Sequence, residues 1–267
     1  MSARSYLDEL ESRSVYILRE AFKTVSPLCV LWSMGKDSTA LLWLARKAFL
    51  GAIPFRVVQL DTEMELPEVY TFRDRIALDW SLDLHVERCP PESETDPSLP
   101  PASRAAARKT EGLKRLLMRE GYNGVVLGIR RDEQATRAKE RVFSRRAIDS
   151  SWDARRQPAE FWGHYATALA PGEHLRIHPL LHWTELDIWR YHERERIPLV
   201  PLYFARNGLR YRSLGEKNIT TPIASAAQTI QEIISELEST NVPERAGRTM
   251  DHDAEDSFER LRSAGYM

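Results

Sequence analysis

The feature that most constrains the fold is a strand–loop–helix pattern over residues 28–50. Leu28–Trp32 is a short apolar run that predicts a buried strand, and Ala40–Leu50 is rich in helix-favouring residues, with Gly51 as the stop. Between them lies a small polar loop, Ser33–Thr39. Such a loop turns backbone N–H groups and a helix N-terminus toward one point, which suits an anion.

The loop has the sequence S-x-G-K-D-S from Ser33 to Ser38 and lacks the G-x-x-x-x-G-K-[ST] spacing of the mononucleotide P-loop. Two interpretations stay open at this point. The loop is either an ordinary turn between a strand and a helix or a cradle for phosphate groups. In a cradle, the Ser33 and Ser38 hydroxyls and the Lys36 ammonium donate to phosphate oxygens, whereas Asp37 orients the loop or reaches Mg²⁺.

The rest of the N-terminal two thirds alternates predicted strands with predicted helices. This alternation predicts an α/β fold: a parallel twisted sheet with helices on both faces. The predicted strands cover 28–32, 55–60, 82–86, 122–129 and 175–179. The predicted helices cover 4–24, 40–50, 66–80, 103–120 and 226–238, and a further helix opens at Thr184–Asp187, close to a capping box. An exposed proline-rich loop is predicted over 90–101.

Polar residues follow three of the predicted strands. They are Ser33–Ser38, Asp61–Thr62 and Gly128–Glu133. Ligands of open parallel sheets bind beyond the carboxyl ends of the strands, so these three stretches are expected to meet at one crevice.

The second informative stretch is rich in arginine. Residues 130–156 contain nine Lys or Arg against five Asp or Glu. The forked donors of Arg130, Arg131 and Arg137 match phosphate or sulfate oxygens, which makes them candidate oxyanion ligands. The alternative is a solvent-exposed helix with ion pairs such as Glu133–Arg137, but the position beside the crevice favours the first interpretation.

Composition excludes several classes of function. A formal net charge of -1 lacks the basic signature of a nucleic-acid binder. Only Cys29 and Cys89 occur, so no disulfide framework is expected, and a reducing cytoplasmic setting fits. No apolar run approaches a membrane span. The spacing over 178–185 suggests a metal site, but Pro179 interrupts it and no metal ligand is assigned there.

The order of motifs resembles the sulfate adenylyltransferase subunit 2 family, the small subunits of bacterial ATP sulfurylase, within the ATP pyrophosphatase superfamily. The matching blocks are S-x-G-K-D-S (33–38), L-D-T (60–62), K-T-E-G-L-K (109–114), R-R-D-E-x-x-x-R-A-K-E-R (130–141), W-T-E-L-D-I-W (183–189), R-Y-R-S-L-G (210–215) and E-R-x-G-R-x-x-D-H-D (244–253). They run from the first predicted strand into the C-terminal part of the chain.

The resemblance implies an adenine nucleotide α-hydrolase-like fold and a nucleotidyltransferase of sulfate assimilation. The implied reaction converts ATP, supplied with Mg²⁺, and sulfate into adenylyl sulfate and pyrophosphate. A GTPase large subunit is the implied partner, because the mixed anhydride product is so unfavourable that GTP hydrolysis must drive its formation. Neither a nucleic acid nor a membrane is implied as a partner.

The expected site joins the residue chemistry to this resemblance. Lys36, Arg130 and Arg131 are the expected catalytic residues, and Arg130, Arg131 and Arg137 the expected sulfate and phosphate ligands. No catalytic histidine is expected, because sulfate is already an anion and needs no general base. The expected nucleotide-binding residues are Ser33, Met34, Gly35, Lys36, Asp37, Ser38, Asp61 and Gly128.

The expected organisation is an ATP pyrophosphatase-type α/β domain over 1–200 and a C-terminal helical or irregular extension over 201–267 that contacts the partner. Two features depart from the family. The resemblance also includes a P-L-Y-F-A block (201–205), and only Arg206–Leu209 separates it from R-Y-R-S-L-G, where the family has a longer insertion. Glu216 follows Gly215, where the family has cysteine.

Three rival functions remain. A phosphoadenylyl-sulfate or adenylyl-sulfate reductase shares the fold but needs a nucleophilic cysteine in its tail, and no cysteine follows Cys89. A divergent ATP pyrophosphatase would adenylate another acceptor, such as a tRNA base or an amide. A non-catalytic nucleotide-binding regulator is the third; Lys36, Asp37 and the arginines count against it.

Overall fold

The computed structural model describes residues 5–242 together with residues 244 and 265. The strands in the described part of the chain are β1 Leu28–Leu31, β2 Arg56–Asp61, β3 Leu84–Arg88, β4 Gly124–Val126, β5 Phe143–Arg146, β6 His174–Ile177, β7 Leu209–Arg210 and β8 Ile223–Ala224. The α-helices are α1 Tyr6–Thr24, α2 Lys36–Ala48, α3 Pro67–Asp79, α4 Pro101–Glu120, α5 Glu185–Glu195 and α6 Ile230–Ser239.

Six strands form the main sheet in the order β3-β2-β1-β4-β6-β5. The pairs from β3 through β6 are parallel, and β5 is an antiparallel edge strand beside β6. The predicted parallel sheet is therefore confirmed. The sequence pattern did not predict β5, whose residues Phe-Ser-Arg-Arg resemble a surface segment more than a strand.

Both faces of the sheet are covered, because alternate residues of each central strand point to opposite sides. On one face, Val30, Val57 and Val126 pack with helices α1, α2, α3 and α5. On the other face, residues such as Cys29 and Val58 pack with helix α4. The sheet is thus sandwiched between helical layers, as the predicted α/β fold requires.

Helix starts follow local sequence rules. The Thr184 side chain accepts from the N–H of Asp187, and the Asp187 carboxylate accepts from the N–H of Thr184, which completes a capping box at the start of α5. Ser5 and Asp8 form the same arrangement at the start of α1. The proline-rich stretch before α4 is mostly exposed, as predicted, with one short 3-10 helix at Glu92–Glu94.

The arginine-rich stretch does not form an α-helix. After β4 the chain is irregular except for a short 3-10 helix, Ala135–Lys139. The i,i+4 ion pair between Glu133 and Arg137 is nevertheless present. The helix considered for residues 130–141 is therefore wrong, and the irregular backbone lets neighbouring side chains point in different directions.

Residues 201–242 pack on the same core as the sheet. Tyr203, Ala227 and Ile233 are buried there, and α6 packs against α5. The short connection over 206–209 is a two-residue turn, with Asn207 and Gly208 both at positive φ before β7. An Asn-Gly pair suits such a turn because both residues tolerate this conformation. The boundary at residue 200 stays a prediction.

None of the described helices has the length and apolar character needed to cross a membrane.

Candidate active site

The Ser33–Ser38 loop connects the carboxyl end of β1 to the first turn of α2. Met34 has a φ of 59°, a conformation that side-chain-bearing residues seldom adopt and that concentrates at ligand sites. Gly35 is the N-cap, so α2 begins at Lys36 and directs its positive end to the crevice. The Ser38 hydroxyl lies 3.2 Å from the N–H of Ser33 and 3.1 Å from its hydroxyl, which holds the loop closed.

The backbone N–H and carbonyl of Lys36 are each held by a buried side chain. The N–H donates to the Tyr203 hydroxyl at 2.9 Å. The carbonyl lies 2.8 Å from Nε2 of His192, a fully buried residue of α5. Burial lowers the pKa of His192 and raises that of Tyr203, so both side chains are neutral near pH 7. The loop therefore has a fixed geometry before any ligand binds.

Gly128, after β4, lies against the first turn of α2. A Cβ atom there would lie 3.2 Å from the backbone N and Cα of Ser38 and from the carbonyl carbon of Asp37. A side chain would thus push strand and helix apart. The glycine allows the ends of β1 and β4 to close around one crevice, as predicted for the carboxyl edge of the sheet.

Two buried cations meet at this edge. Lys36 has a side-chain exposure of 1% and Arg130 of 0%. The Asp37 carboxylate lies between them, with Oδ2 3.2 Å from Lys36 Nζ and Oδ1 2.5 Å from Arg130 Nε. The Glu244 carboxylate also bridges them, Oε1 pairing with Lys36 Nζ and Oε2 with Arg130 Nη2. Buried charges persist only when they are paired in this way.

Arg130 is further held by Asp132, whose oxygens lie 2.7 and 2.9 Å from Nη1. Asp132 also accepts from the N–H of Glu185 at the start of α5, at 2.7 Å. Burial opposes the charged forms of Lys36 and Arg130, but the neighbouring carboxylates, chiefly Asp37 and Glu244, raise both pKa values above the ordinary ones. Both side chains are thus firmly cationic, as anion ligands must be.

Arg131 points away from Arg130. Its Nη1 lies 3.0 Å from Nδ1 of His182, and its Nη2 donates to the carbonyl of Glu140 at 2.9 Å. Successive residues of an extended chain alternate sides, which explains why neighbouring arginines diverge. This geometry favours Arg130 over Arg131 as an anion ligand, and a catalytic role for Arg131 stays a prediction.

Asp61 lies at the end of β2, as predicted, and its carboxylate accepts hydrogen bonds from nearby residues of the same segment. Its Oδ1 accepts from the N–H of Glu63 at 2.8 Å and from the Tyr70 hydroxyl at 2.9 Å. Burial and this hydrogen bond raise the pKa of Tyr70 to about 12. A contact between Asp61 and a nucleotide stays a prediction.

Two more cations, Arg137 and Lys109, line the crevice. Arg137 is nine-tenths buried and pairs with Glu133. Lys109 of α4 lies 3.2 Å from Glu65 and 3.7 Å from Glu216. Glu216 is buried and accepts a 2.6 Å hydrogen bond from the Thr62 hydroxyl. Glu216 therefore supplies a carboxylate near Lys109 at the crevice.

The crevice encloses about 230 Å³. Its walls come from the ends of β1 and β4, the first turn of α2, and the residues that follow β4 and β7. The described lining residues are Leu31, Ser33, Gly35, Lys36, Asp37, Ser38, Lys109, Leu127, Gly128, Ile129, Glu133, Arg137, Tyr203, Ser213, Leu214, Gly215 and Glu244.

Asp37 is the side chain that the sequence suggested could orient the loop or reach Mg²⁺. Both Asp37 oxygens face cations, so the carboxylate is not presented to Mg²⁺ in this arrangement. Across residues 5–242, 244 and 265, no group of three or more His, Cys, Asp or Glu residues forms a metal site. His178 lies 2.7 Å from the Arg141 carbonyl, whereas Glu185 pairs with Arg212, so the two do not share a ligand position.

The two cysteines are unsuited to nucleophilic chemistry. Both Cys29 and Cys89 are buried, and burial raises the pKa of each thiol to about 12. Because the thiolate is the reactive form, neither side chain is a ready nucleophile near neutral pH.

Sequence reasoning missed several residues of this site. Tyr203 is buried in the core, and its hydroxyl also fixes the loop. Lys109 and Glu244 each open a block of the family resemblance, and that was the signal available for them. Each reaches the crevice from a distant part of the chain, a juxtaposition that no local spacing reveals.

Comparisons with known proteins identify the family of the chain. Residues 27–222 match the family model of the phosphoadenosine phosphosulfate reductase domain. The chain is 38% identical to sulfate adenylyltransferase subunit 2 of Trichlorobacter lovleyi over 98% of both chains. It is 39% identical to the subunit 2 of Nocardia farcinica, over 98% of this chain and 96% of the relative.

Solved structures share the fold at low sequence identity. Candida glabrata FMN adenylyltransferase in complex with FAD and inorganic pyrophosphate superposes with a TM-score of 0.57 and 19% identity, over 83% of this chain and 70% of that chain. Candida auris phosphoadenylyl-sulfate reductase in a phosphate complex gives 0.53 and 18%, over 83% and 99%. The near-full-length relatives carry the assignment: the chain belongs to the sulfate adenylyltransferase subunit 2 family.

Proposed function

We propose that the protein transfers the adenylyl group of ATP to sulfate, giving adenylyl sulfate and pyrophosphate. The observation that carries the proposal is the convergence of Lys36 and Arg130 at the N-terminus of α2, in a chain of the subunit 2 family. Two fixed cations beside a helix N-terminus suit a polyphosphate that gains charge during the reaction.

In the proposed reaction, a sulfate oxygen attacks the α-phosphorus of ATP. The new bond joins sulfate to the adenylyl group, and the bond from the α-phosphorus to the bridging oxygen breaks, so that pyrophosphate leaves with its electron pair. The Ser33–Ser38 loop and Lys36 bind the departing pyrophosphate, and Arg130 stabilises the developing charge. No proton has to be removed from sulfate.

The remaining site residues take supporting roles. Ser33 and Ser38 donate hydroxyl hydrogens to phosphate oxygens, and Gly128 allows the nucleotide to approach the loop. Arg137 lines the crevice and suits the incoming sulfate. Asp61 and Arg131 are not among the described lining residues, and their roles stay predictions. We propose that Mg²⁺ enters as part of the MgATP substrate, because it binds mainly through phosphates and water.

We further propose a GTPase large subunit as the partner, contacted by the region from residue 201 onward. The relatives are named as subunit 2, which implies a larger assembly. A chain truncated near residue 240 should lose partner affinity more than ATP affinity, measured by calorimetry. The reverse ranking would remove this region from the interface.

The decisive test is sulfate-dependent release of pyrophosphate. The protein is incubated with ATP, Mg²⁺ and sulfate, with and without the authentic large subunit and GTP, and both pyrophosphate and adenylyl sulfate are followed. Pyrophosphate release that ignores sulfate, or no turnover even with the partner, would contradict the proposal.

A second candidate is the same adenylyl transfer to another acceptor. The observation that favours it is Glu216, which places a buried carboxylate beside Lys109 where the family has cysteine. Replacing it by cysteine, Glu216→Cys, distinguishes the two. If sulfate is the acceptor, the variant keeps its sulfate dependence; if the carboxylate selects another acceptor, sulfate turnover rises in the variant.

A further inference from the structure

The cations proposed to bind pyrophosphate are covered by a carboxylate of the chain itself. Glu244 pairs with Lys36 Nζ through one oxygen and with Arg130 Nη2 through the other. The three residues are separated by 208 and 114 positions in the sequence. With Glu244 in this position, the exposure of the Lys36 side chain is 1% and that of Arg130 is 0%. An external anion cannot reach either group without displacing Glu244.

The segment that carries Glu244 is anchored just before it. Arg212 Nη1 donates to the Val242 carbonyl at 2.8 Å. The guanidinium of Arg212 is itself held by the Glu185 carboxylate, with Nη2 at 2.8 Å. Since Glu185 is the first residue of α5, this anchor is part of the packed core. Glu244 is therefore tethered two residues from a fixed point beside the crevice.

We propose that Glu244 is a built-in competitor that occupies the pyrophosphate position until the nucleotide displaces it, and that its return helps pyrophosphate to leave. The inference rests on the proposed binding of pyrophosphate at the Ser33–Ser38 loop. It adds an autoinhibitory contact that acts on both entry and release.

The physical reason is an exchange of one anion for another. Removing Glu244 without a replacement would leave two buried cations short of a counter-charge, which is strongly unfavourable. A phosphate group supplies oxygens to both cations at once, as the carboxylate does. Because Glu244 is tethered, it competes at an effective concentration on the order of millimolar, so free pyrophosphate must overcome it.

The direct test measures binding of inorganic pyrophosphate by calorimetry to the wild type and to Glu244→Gln. Glutamine keeps the shape but removes the charge, so the apparent Kd is expected to fall roughly tenfold. Glu238→Gln is the matched control, because Glu238 is half-exposed and pairs with Arg190 away from the crevice. Its Kd should equal that of the wild type. An unchanged or higher Kd for Glu244→Gln would overturn the proposal.

Trypsin digestion of the unmodified chain gives an independent readout that needs no variant to fold. Arg245 follows Glu244 in the sequence, and cleavage after it is followed by mass spectrometry. Pyrophosphate should accelerate this cleavage if it displaces Glu244. Equal or slower cleavage would mean that Glu244 stays in place with the ligand, which contradicts competition.

These binding readouts separate the inference from the proposed reaction. If sulfate is not the acceptor, sulfate-dependent turnover fails while tighter pyrophosphate binding to Glu244→Gln persists. If Glu244 is not a competitor, turnover is observed and the two Kd values agree.

Discussion

Two stretches of the chain build the crevice by different means. The Ser33–Ser38 loop follows β1 and acts mainly through its backbone, whose helix N-terminus and positive φ at Met34 fix a concave surface. Residues 129–142 follow β4 and act through side chains on an irregular backbone. Arg130 pairs with Asp37 of the crevice wall, whereas Arg131 contacts His182.

The difference shows which parts of the site can be predicted from local sequence. The loop's own turn and helix start depend on residues close in sequence, so a short motif predicts them, although Tyr203 and His192 also hold the backbone of Lys36. The arginine stretch depends on carboxylates from remote segments, because Arg130 needs Asp37 and Glu244 to remain buried and charged. Its structure is determined by tertiary contacts, and a count of arginines does not show which one faces the ligand.

The largest expected effect tests the loop. Lys36→Met keeps most of the side-chain length but removes the charge that stabilises the leaving pyrophosphate. We expect kcat for pyrophosphate release to fall roughly 10²–10³-fold. Lys47→Met is the control, since Lys47 is a third exposed and pairs with Glu11 and Glu195 on the outer surface. Wild-type kcat in a folded Lys36→Met protein would remove the loop from the mechanism.

A smaller effect separates the two neighbouring arginines. Arg130→Lys keeps the charge but cannot contact Asp37, Asp132 and a phosphate at once, so we expect a loss of roughly 10–100-fold in kcat/KM. Arg131→Lys should stay within about threefold of wild type, because Arg131 contacts no lining group of the described crevice. Equal losses in both variants would show that the contrast between the two side chains is not functional.

The close approach between the two stretches gives the next test. In Gly128→Ala, the new methyl group meets the backbone of Asp37 and Ser38 at 3.2 Å and displaces the first turn of α2. We expect KM for ATP to rise roughly tenfold. Gly163→Ala is a comparison variant on the surface, where an added Cβ meets nothing within 4 Å, although its φ of 76° adds backbone strain. If both variants leave KM unchanged, the tight packing at Gly128 does not shape the nucleotide site.

The last prediction concerns stability rather than turnover. Burial lowers the pKa of His178 to about 4, despite the opposing Glu140 carboxylate. The unfolded chain therefore binds this proton at a higher pH than the folded chain. As the pH falls from about 6.5 toward 4, the free energy of unfolding should therefore decrease by about 1.4 kcal/mol per pH unit because of His178.

His178→Asn isolates this contribution. The asparagine amide can still donate to the Arg141 carbonyl, which lies 2.7 Å from Nδ1 of His178, but it does not titrate. Urea unfolding at pH 7 and pH 5 should show a smaller pH effect in the variant than in the wild type. The same pH effect in both proteins would indicate that His178 is not the group that titrates.

Much of the fold follows from sequence pattern. Apolar runs and helix caps predicted the parallel strands and most helices, because these elements depend on local propensity and on burial of one face. The edge strand β5 could not be predicted, since its stability comes from remote partners. The Glu160 carboxylate accepts from the N–H groups of Val142 and Phe143 at 3.1 and 2.8 Å, an interaction invisible in a strand's own sequence.

The residues of the site also differ in how well local sequence predicts them. Lys36 and Gly128 were predicted to bind the nucleotide and line the crevice, because their motifs have a fixed position relative to strand ends. Lys109, Tyr203 and Glu244 were not assigned to the site. Each comes from a segment whose approach to the crevice depends on how the whole chain packs, and only the structure brings them together.

The hydrogen bonds that hold the backbone of Lys36 have a consequence for local opening of the structure. The Lys36 N–H is satisfied by the Tyr203 hydroxyl, and the carbonyl lies at hydrogen-bond distance from His192 of α5. Exchange of this amide hydrogen with deuterium therefore requires the first turn of α2 to separate from Tyr203. Such exchange reports on subglobal opening rather than on local loop motion. The exchange rate of the Lys36 amide hydrogen therefore measures how often the first turn of α2 separates from Tyr203 at the crevice wall.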